Sequence, residues 1–335
     1  MIFARLALLT AVAATLFIER PMAQGSEQFA VTSTQIQRFN GAALGDRVGN
    51  LIWRGGINMS SPSDRFGGMS GLGFTSGEQH LAMVTDRGNF VSGQLIYDEA
   101  GVPSSLIGVR IEAIQNSRGV ELPRAYSRDA EALAIVLRDN QPAAVRVGFE
   151  NLTRVADFEL VDARPSGPAR EITIPDWLAN TRTNETLEAV CVAPPASQIA
   201  GSTLLLTEGV IDNDGQHVAW LLGRNDRGAL SYETSSGVNP TDCAFLPNGD
   251  LLVLERGVAF LSFTMQLKRV PAAEVRPGTL MRGEVLLESS GGDIDNMEGL
   301  TVHTAPDGQT RITLISDNNF NDWERNLLLE FSLPE

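Results

Sequence analysis

Ser70-Gly71-Leu72-Gly73-Phe74 opens the pattern that decides the fold, because it returns four times. Glu131-Ala132-Leu133-Ala134-Ile135, Glu188-Ala189-Val190-Cys191-Val192, Thr241-Asp242-Cys243-Ala244-Phe245 and Glu298-Gly299-Leu300-Thr301-Val302 repeat its scheme of a polar opener leading into a short apolar run. Successive openers lie 61, 57, 53 and 57 residues apart. After each comes a turn and a second apolar run that closes on an acid: Asp86, Glu150, Glu208, Glu255 and Asp317 in order. Asn248-Gly249 and Asp307-Gly308 fall between the two runs of the fourth and fifth repeats, and such dipeptides take the positive φ that tight hairpins need. Further β-like runs, such as Val218–Leu222 and Leu327–Phe331, fill out the repeats. Strand-only repeats of this length predict an all-β fold, a β-propeller with one four-stranded blade per repeat. Five repeats favour five blades, with six left open. The fifth repeat reaches Glu335 too soon for four strands, and residues 27–59 are placed to supply its outer strand and close the ring. Two β-sandwiches would not account for five matching hairpins.

Composition narrows the chemistry. The 335 residues carry 41 acids against 26 bases, a formal charge of -15, which argues against nucleic acid as a partner because phosphate backbones need a dense cationic surface. Lys268 is the single lysine, so neither a phosphate-binding Gly-Lys-Ser/Thr loop nor lysine Schiff-base chemistry is expected. His80, His217 and His303 are isolated from one another, which removes the usual zinc enzymes. At the start, Arg5 precedes an apolar run from Leu6 to Ile18, too short to span a bilayer but suited to a secretory leader. We expect residues 1–23 to be a cleaved signal peptide, residues 27–335 a single domain, and the product to be periplasmic or secreted with no stable membrane span. An uncleaved anchor is the rival reading.

In an antiparallel hairpin the start of the first strand lies beside the end of the second. Opener and closer should therefore meet at one rim: Ser70 with Asp86, Glu131 with Glu150, Glu188 with Glu208, Thr241 with Glu255, and Glu298 with Asp317. Three of these pairs set acid beside acid, an arrangement that needs a cation, a shared proton or an arginine to offset it. Arg87 and Arg256 directly follow two closers. Oxygen donors in this number favour calcium over transition metals, with Glu131, Glu150, Glu188, Glu208, Glu298 and Asp317 as ligands.

The same stretches carry a resemblance. Gly68-Met69-Ser70-Gly71-Leu72 with Thr85-Asp86-Arg87-Gly88, Leu254-Glu255-Arg256-Gly257, and Asp295-Asn296-Met297-Glu298-Gly299-Leu300 with Ser316-Asp317-Asn318-Asn319-Phe320 resemble the phytase-like family, also described by the esterase-like activity of phytase and similar in layout to β-propeller phytases. The likeness runs from about Gly55 to Phe331 and is looser in the second and third repeats. It implies an exported propeller whose acidic residues hydrolyse phosphate esters or other esters. On that reading Glu298, Asp317, Asp86 and Glu255 are the catalytic candidates, while Arg87, Arg256 and Ser70 hold a small ester or phosphoester substrate. The alternative is a non-catalytic propeller that binds a ligand or partner, with calcium only stabilising the rim. A serine esterase is a weaker third option, because no Gly-x-Ser-x-Gly is present and Ser70 has no histidine partner in sequence.

Cys191 and Cys243 stand on opposite parities of their repeats, so their side chains face each other across the third and fourth blades. Packed sheets lie about 10 Å apart, however, while a disulfide needs Cβ atoms within about 4.5 Å. That spacing favours two small buried thiols over a bridge. Trp53, Trp177, Trp220 and Trp323 are expected to pack between blades, and His80 and His303 to sit on surface strands or turns.

Overall fold

The computed structural model describes residues 27–183, 185–259 and 262–334, so the expected leader lies outside the described residues. Five antiparallel sheets follow one another along the chain as the blades of a propeller. From the axis outward, blade 1 is Met69–Phe74, His80–Thr85, Asn89–Tyr97 and Pro103–Ala113, with Glu27–Gln28 added at its edge. Blade 2 is Ala130–Arg138, Gln141–Phe149, Arg154–Val161 and Arg164–Ile172. Ala189–Val192, Thr203–Ile211, His217–Leu222 and Gly228–Glu233 form blade 3, where Leu280–Arg282 joins in parallel. Asn239–Phe245, Leu251–Ala259, Ser262–Val270 and Glu284–Ser290 form blade 4.

Blade 5 closes the ring as anticipated. Its inner three strands, Asn296–Thr304, Thr310–Asp317 and Asn326–Ser332, end the chain, and Leu51–Ser60 from the beginning pairs antiparallel with Asn326–Ser332. Thr32–Ile36 adds one strand more. The segment ahead of the first repeat thus shares one sheet with the last repeat, so opening the ring requires breaking a β-ladder.

All five apolar runs named at the outset are innermost strands, and each touches the next around the ring. Both faces of every blade are buried against neighbours, which explains continuous apolar runs in place of alternation. The core accordingly divides into five clusters, one per seam. The seam between blades 4 and 5 holds an aromatic trio: Trp53 stacks on Phe39 at 5.2 Å, and Phe331 lies 5.1 Å from both rings. Between blades 1 and 2, a Cβ at Gly71 would stand 2.6 Å from the Leu133 backbone nitrogen, so the small residue after the opener is what lets inner strands close on the axis.

Three sequence expectations are corrected here. Cys191 and Cys243 form a disulfide, with Cα atoms 5.9 Å apart. The 10 Å spacing applies where sheets pack face to face, whereas these residues are on innermost strands that converge at the axis. Trp53 is fully buried, but Trp177 and Trp323 are 37% and 85% exposed, because they lie in a short helix and a loop outside the seams. His303 is not a surface residue: its ring stacks on Phe74 at 3.6 Å, and Nε2 lies 3.1 Å from the buried Glu330 carboxylate.

Candidate active site at the axial rim

Inner strands all run the same way, so their first residues form one mouth of the axis. The ladders there are irregular in a recurring manner. Pairing skips one residue between Met69 and Gly71, Ala130 and Ala132, Pro240 and Asp242, and Met297 and Gly299. The skipped residues are Ser70, Glu131, Thr241 and Glu298. In four blades, then, the opener is the extra residue of a β-bulge, a device that re-aims a side chain and is common beside active sites. In blade 3 the Glu188 N–H donates to the Leu206 carbonyl just ahead of the strand.

Blades 2 and 3 bring their acids together. Carboxylate oxygens of Asp129, Glu131 and Glu150 all lie within 4.8 Å of one another. Glu150 hydrogen-bonds Glu188, and its Oε1 accepts the Thr186 N–H at 2.6 Å. The Ser70 hydroxyl reaches Glu131 from blade 1, and Asn151 Nδ2 donates to Asp129 Oδ2. Burial pushes Glu131 and Glu188 well above the usual carboxylate range and raises Glu150 to about 7, with neighbouring carboxylates adding to each shift. Asp129 was missed from the sequence. It ends the four-residue helix Ala125–Arg128 and belongs to no strand, although an acid two residues ahead of an opener was the available signal.

Glu208 continues the arc, its Oε1 accepting from Asn239 Nδ2 at 2.8 Å. In blade 5 the Glu298 carboxylate meets Arg256 Nη1 of blade 4 at 2.9 Å. Burial still raises Glu298 to about 7, against the pull of that arginine. Asp317, 5% exposed, is raised to about 7 by burial and accepts the Asn319 N–H at 2.7 Å. Asp86 is raised to about 6, again by burial first, and its Oδ1 is buried with no hydrogen-bond partner. Gly68, at φ +66, allows this close approach: a Cβ there would collide with both Asp86 Oδ1 and the Phe320 ring.

Two candidates stand apart from the arc. Thr241 is buried and offers its hydroxyl only to main-chain carbonyls of Leu254 and Met297. Glu255 is fully buried between blades 3 and 4, where Oε1 takes Lys268 Nζ at 3.0 Å and the Tyr232 hydroxyl at 2.7 Å. The chain's single lysine is thereby committed to an interior ion pair. Of the two arginines, Arg256 is bound to Glu298 and Asn296. Burial would lower its pKa, but Glu298, Glu188, Glu208 and Asp317 outweigh that and raise it. Arg87 is exposed, lies on the Phe320 ring and lines a cavity of about 440 Å³ together with Asp86, Arg128, Asp129 and Asn151. Arg128 is a second cation the sequence did not single out; its Nε donates to the Leu122 carbonyl at 2.7 Å.

The arrangement sets the carboxylates of Asp86 and Asp129 and the guanidinium groups of Arg87 and Arg128 around one cavity. Among the described residues no helix is long and apolar enough to cross a membrane. Comparison with curated proteins finds no match. Among solved structures, the PQQ-bound aldose sugar dehydrogenase from Streptomyces coelicolor is similar at 11% identity over 91% of this chain and 99% of that one, with a TM-score of 0.43. A glucose dehydrogenase is 12% identical over 81% and 98%, with a TM-score of 0.44. Likeness at that level carries no argument about chemistry. The family described as phytase-like, esterase-like activity of phytase, matches residues 64–320, which contain every blade's opener and closer, and the chain therefore belongs to the phytase-like family.

Proposed function

We propose that this rim is a metal-dependent hydrolytic site for phosphate esters or other esters of small molecules. The observation that carries the reading is the Asp129, Glu131 and Glu150 group, whose oxygens lie within 4.8 Å of one another while the charges acting on Glu131 and Glu150 are other carboxylates. An all-oxygen donor set without histidine or cysteine fits a hard divalent cation, calcium above all. Asp129, Glu131 and Glu150 would hold it, with Glu188 hydrogen-bonded behind Glu150. Bound there, the ion would polarise the ester and lower the pKa of a coordinated water.

The chain's own groups do the rest. Arg87 and Arg128 line the same cavity and orient an anionic ester oxygen. Asp86 Oδ1, buried and unpartnered, accepts a proton from the attacking water, a role suited to a carboxylate raised to about 6. Glu298, Asp317 and Glu208 extend the negative field around the arc, with Arg256 fixing Glu298. Export belongs to the same proposal: the apolar segment ahead of the domain and the Cys191–Cys243 disulfide both suit an oxidising compartment.

Turnover of a phosphoester panel with calcium and with EGTA tests the reading. Calcium-dependent hydrolysis, reduced at least about 100-fold in Asp86→Asn with an unchanged melt, supports it. Calcium binding without turnover of any ester would leave a ligand-binding propeller with a structural metal.

A further inference from the structure

The opposite mouth of the axis, formed by the last residues of the inner strands, has a different character. A cavity of about 460 Å³ opens there, walled by Leu133, Ile135, Leu137, Pro142, Pro194 and Val302. Ser76 and Gly77 lie on its edge, in the turn between Met69–Phe74 and His80–Thr85. Ser76 Oγ is 3.0 Å from His80 Nδ1. The Glu78 N–H already donates to the same Oγ at 3.2 Å, so the hydroxyl hydrogen is free to point at the imidazole.

That turn is held far more firmly than a hairpin needs. Gln79 is 6% exposed and adopts φ +62, a left-handed conformation unusual for glutamine. Its Nε2 donates to the Gly77 carbonyl at 3.2 Å and across to the Thr304 carbonyl of blade 5 at 3.1 Å. Thr75 Oγ1 ties the other side to the Ala163 carbonyl of blade 2 at 2.6 Å, and Gln94 Nε2 holds the Glu78 carbonyl at 2.9 Å. Strained, over-determined backbone of this kind is where pre-organised chemistry is found. Beside the serine, the Gly77 N–H takes no part in the turn's main-chain hydrogen bonds, and a Cβ on Gly77 would meet nothing within 4 Å. An amide that follows a nucleophile and is left out of the turn's main-chain hydrogen bonds is a suitable donor to an oxyanion.

We propose that Ser76 and His80 form a second, metal-independent site, a nucleophile–base pair that hydrolyses uncharged carboxylic esters with an apolar acyl group. Ser76 Oγ bonds to the ester carbonyl carbon as its proton passes to His80 Nδ1, and the Gly77 N–H faces the oxyanion. The ester C–O bond then breaks, His80 returns the proton to the departing alkoxide, and the acyl group stays on Ser76. Water attacks the acyl-serine and gives its proton to His80; the acyl–Oγ bond then breaks, His80 passes that proton to Ser76 Oγ, and the carboxylic acid leaves. No carboxylate hydrogen-bonds His80 among the described residues, so the pair turns over more slowly than a triad.

The test uses a fluorophosphonate probe with peptide mapping, and p-nitrophenyl butyrate hydrolysis in EGTA. Labelling on Ser76, together with a loss of EGTA-resistant hydrolysis of about 100-fold or more in both Ser76→Ala and His80→Gln at unchanged melting temperature, supports the site. Wild-type rates in either variant, or a wild-type protein that neither labels at Ser76 nor hydrolyses the ester, overturns it.

Discussion

Glu131 and Glu150 of blade 2 hold the same places in the repeat as Glu298 and Asp317 of blade 5, and as Thr241 and Glu255 of blade 4. Their surroundings differ. Blade 4 supplies cations from its own strands: Lys268 pairs with Glu255, and Arg256 reaches across to Glu298. Among the described residues, blades 2 and 3 supply none to Glu131, Glu150 and Glu188, which meet other carboxylates and are driven upward in pKa. A repeat therefore fixes where an acid stands, while the strand beside it fixes whether that charge is balanced from within or awaits a partner from solution.

The sharpest break of this comparison removes the internal cation. Lys268→Met should destabilise by about 3–5 kcal/mol, because it strands a carboxylate in a fully buried site. Glu150→Gln, in metal-free buffer, should cost nothing or stabilise, since it relieves repulsion. Urea titrations of both variants measure the contrast, and equal losses would end it.

Next in size is the seam between blades 3 and 4. The Cys191–Cys243 bridge joins blade 3 to blade 4 across 52 residues, and replacing both cysteines by alanine should cost about 2–4 kcal/mol. Thiol titration of the denatured, unreduced protein should find no free thiol.

The dependence on pH follows from the raised carboxyls. Glu150, Glu298 and Asp317 at about 7 and Asp86 at about 6 bind more protons folded than unfolded, where carboxyls titrate near 4. Their stabilising contribution is complete below about 4 and is lost as pH rises through about 7. Metal-free protein should accordingly melt lower at pH 8 than at pH 6, and millimolar calcium should flatten the slope and raise the melting temperature, the stabilisation being about 2.7 kcal/mol at a hundredfold excess over Kd. A melt indifferent to calcium at pH 8 would remove the metal from the comparison.

The smallest effect sharpens the acidic half alone. Asn151 sits at φ +49 and donates to Asp129, which follows the short helix ahead of blade 2. Asn151→Gly keeps the left-handed backbone but deletes the amide, and should weaken calcium binding about 10-fold in calorimetry with little change in the metal-free melt.

Much of this arrangement was legible beforehand. Five openers and closers, the gathering of the acidic ones outside blade 4 at one rim, and ring closure by Leu51–Ser60 follow from strand periodicity and hairpin geometry, which are local rules. The bulges at Ser70, Glu131, Thr241 and Glu298 were not legible, since one extra residue in a strand leaves no mark on composition. Nor were Arg128 and Asn151, which come from the connections around blade 2, where the repeat is silent.

By itself, then, the sequence determined the propeller, its closure and the acid-rich mouth, because each depends on patterns within some twenty residues or on a repeat. Tertiary structure alone decided that Glu255 turns to Lys268 between blades, that Cys191 meets Cys243, and that Ser76 faces His80. Those outcomes depend on how far neighbouring sheets splay from a common axis and on which residue a bulge or a left-handed turn re-aims. Both are properties of packing in three dimensions, and neither is encoded in the order of residues along one strand.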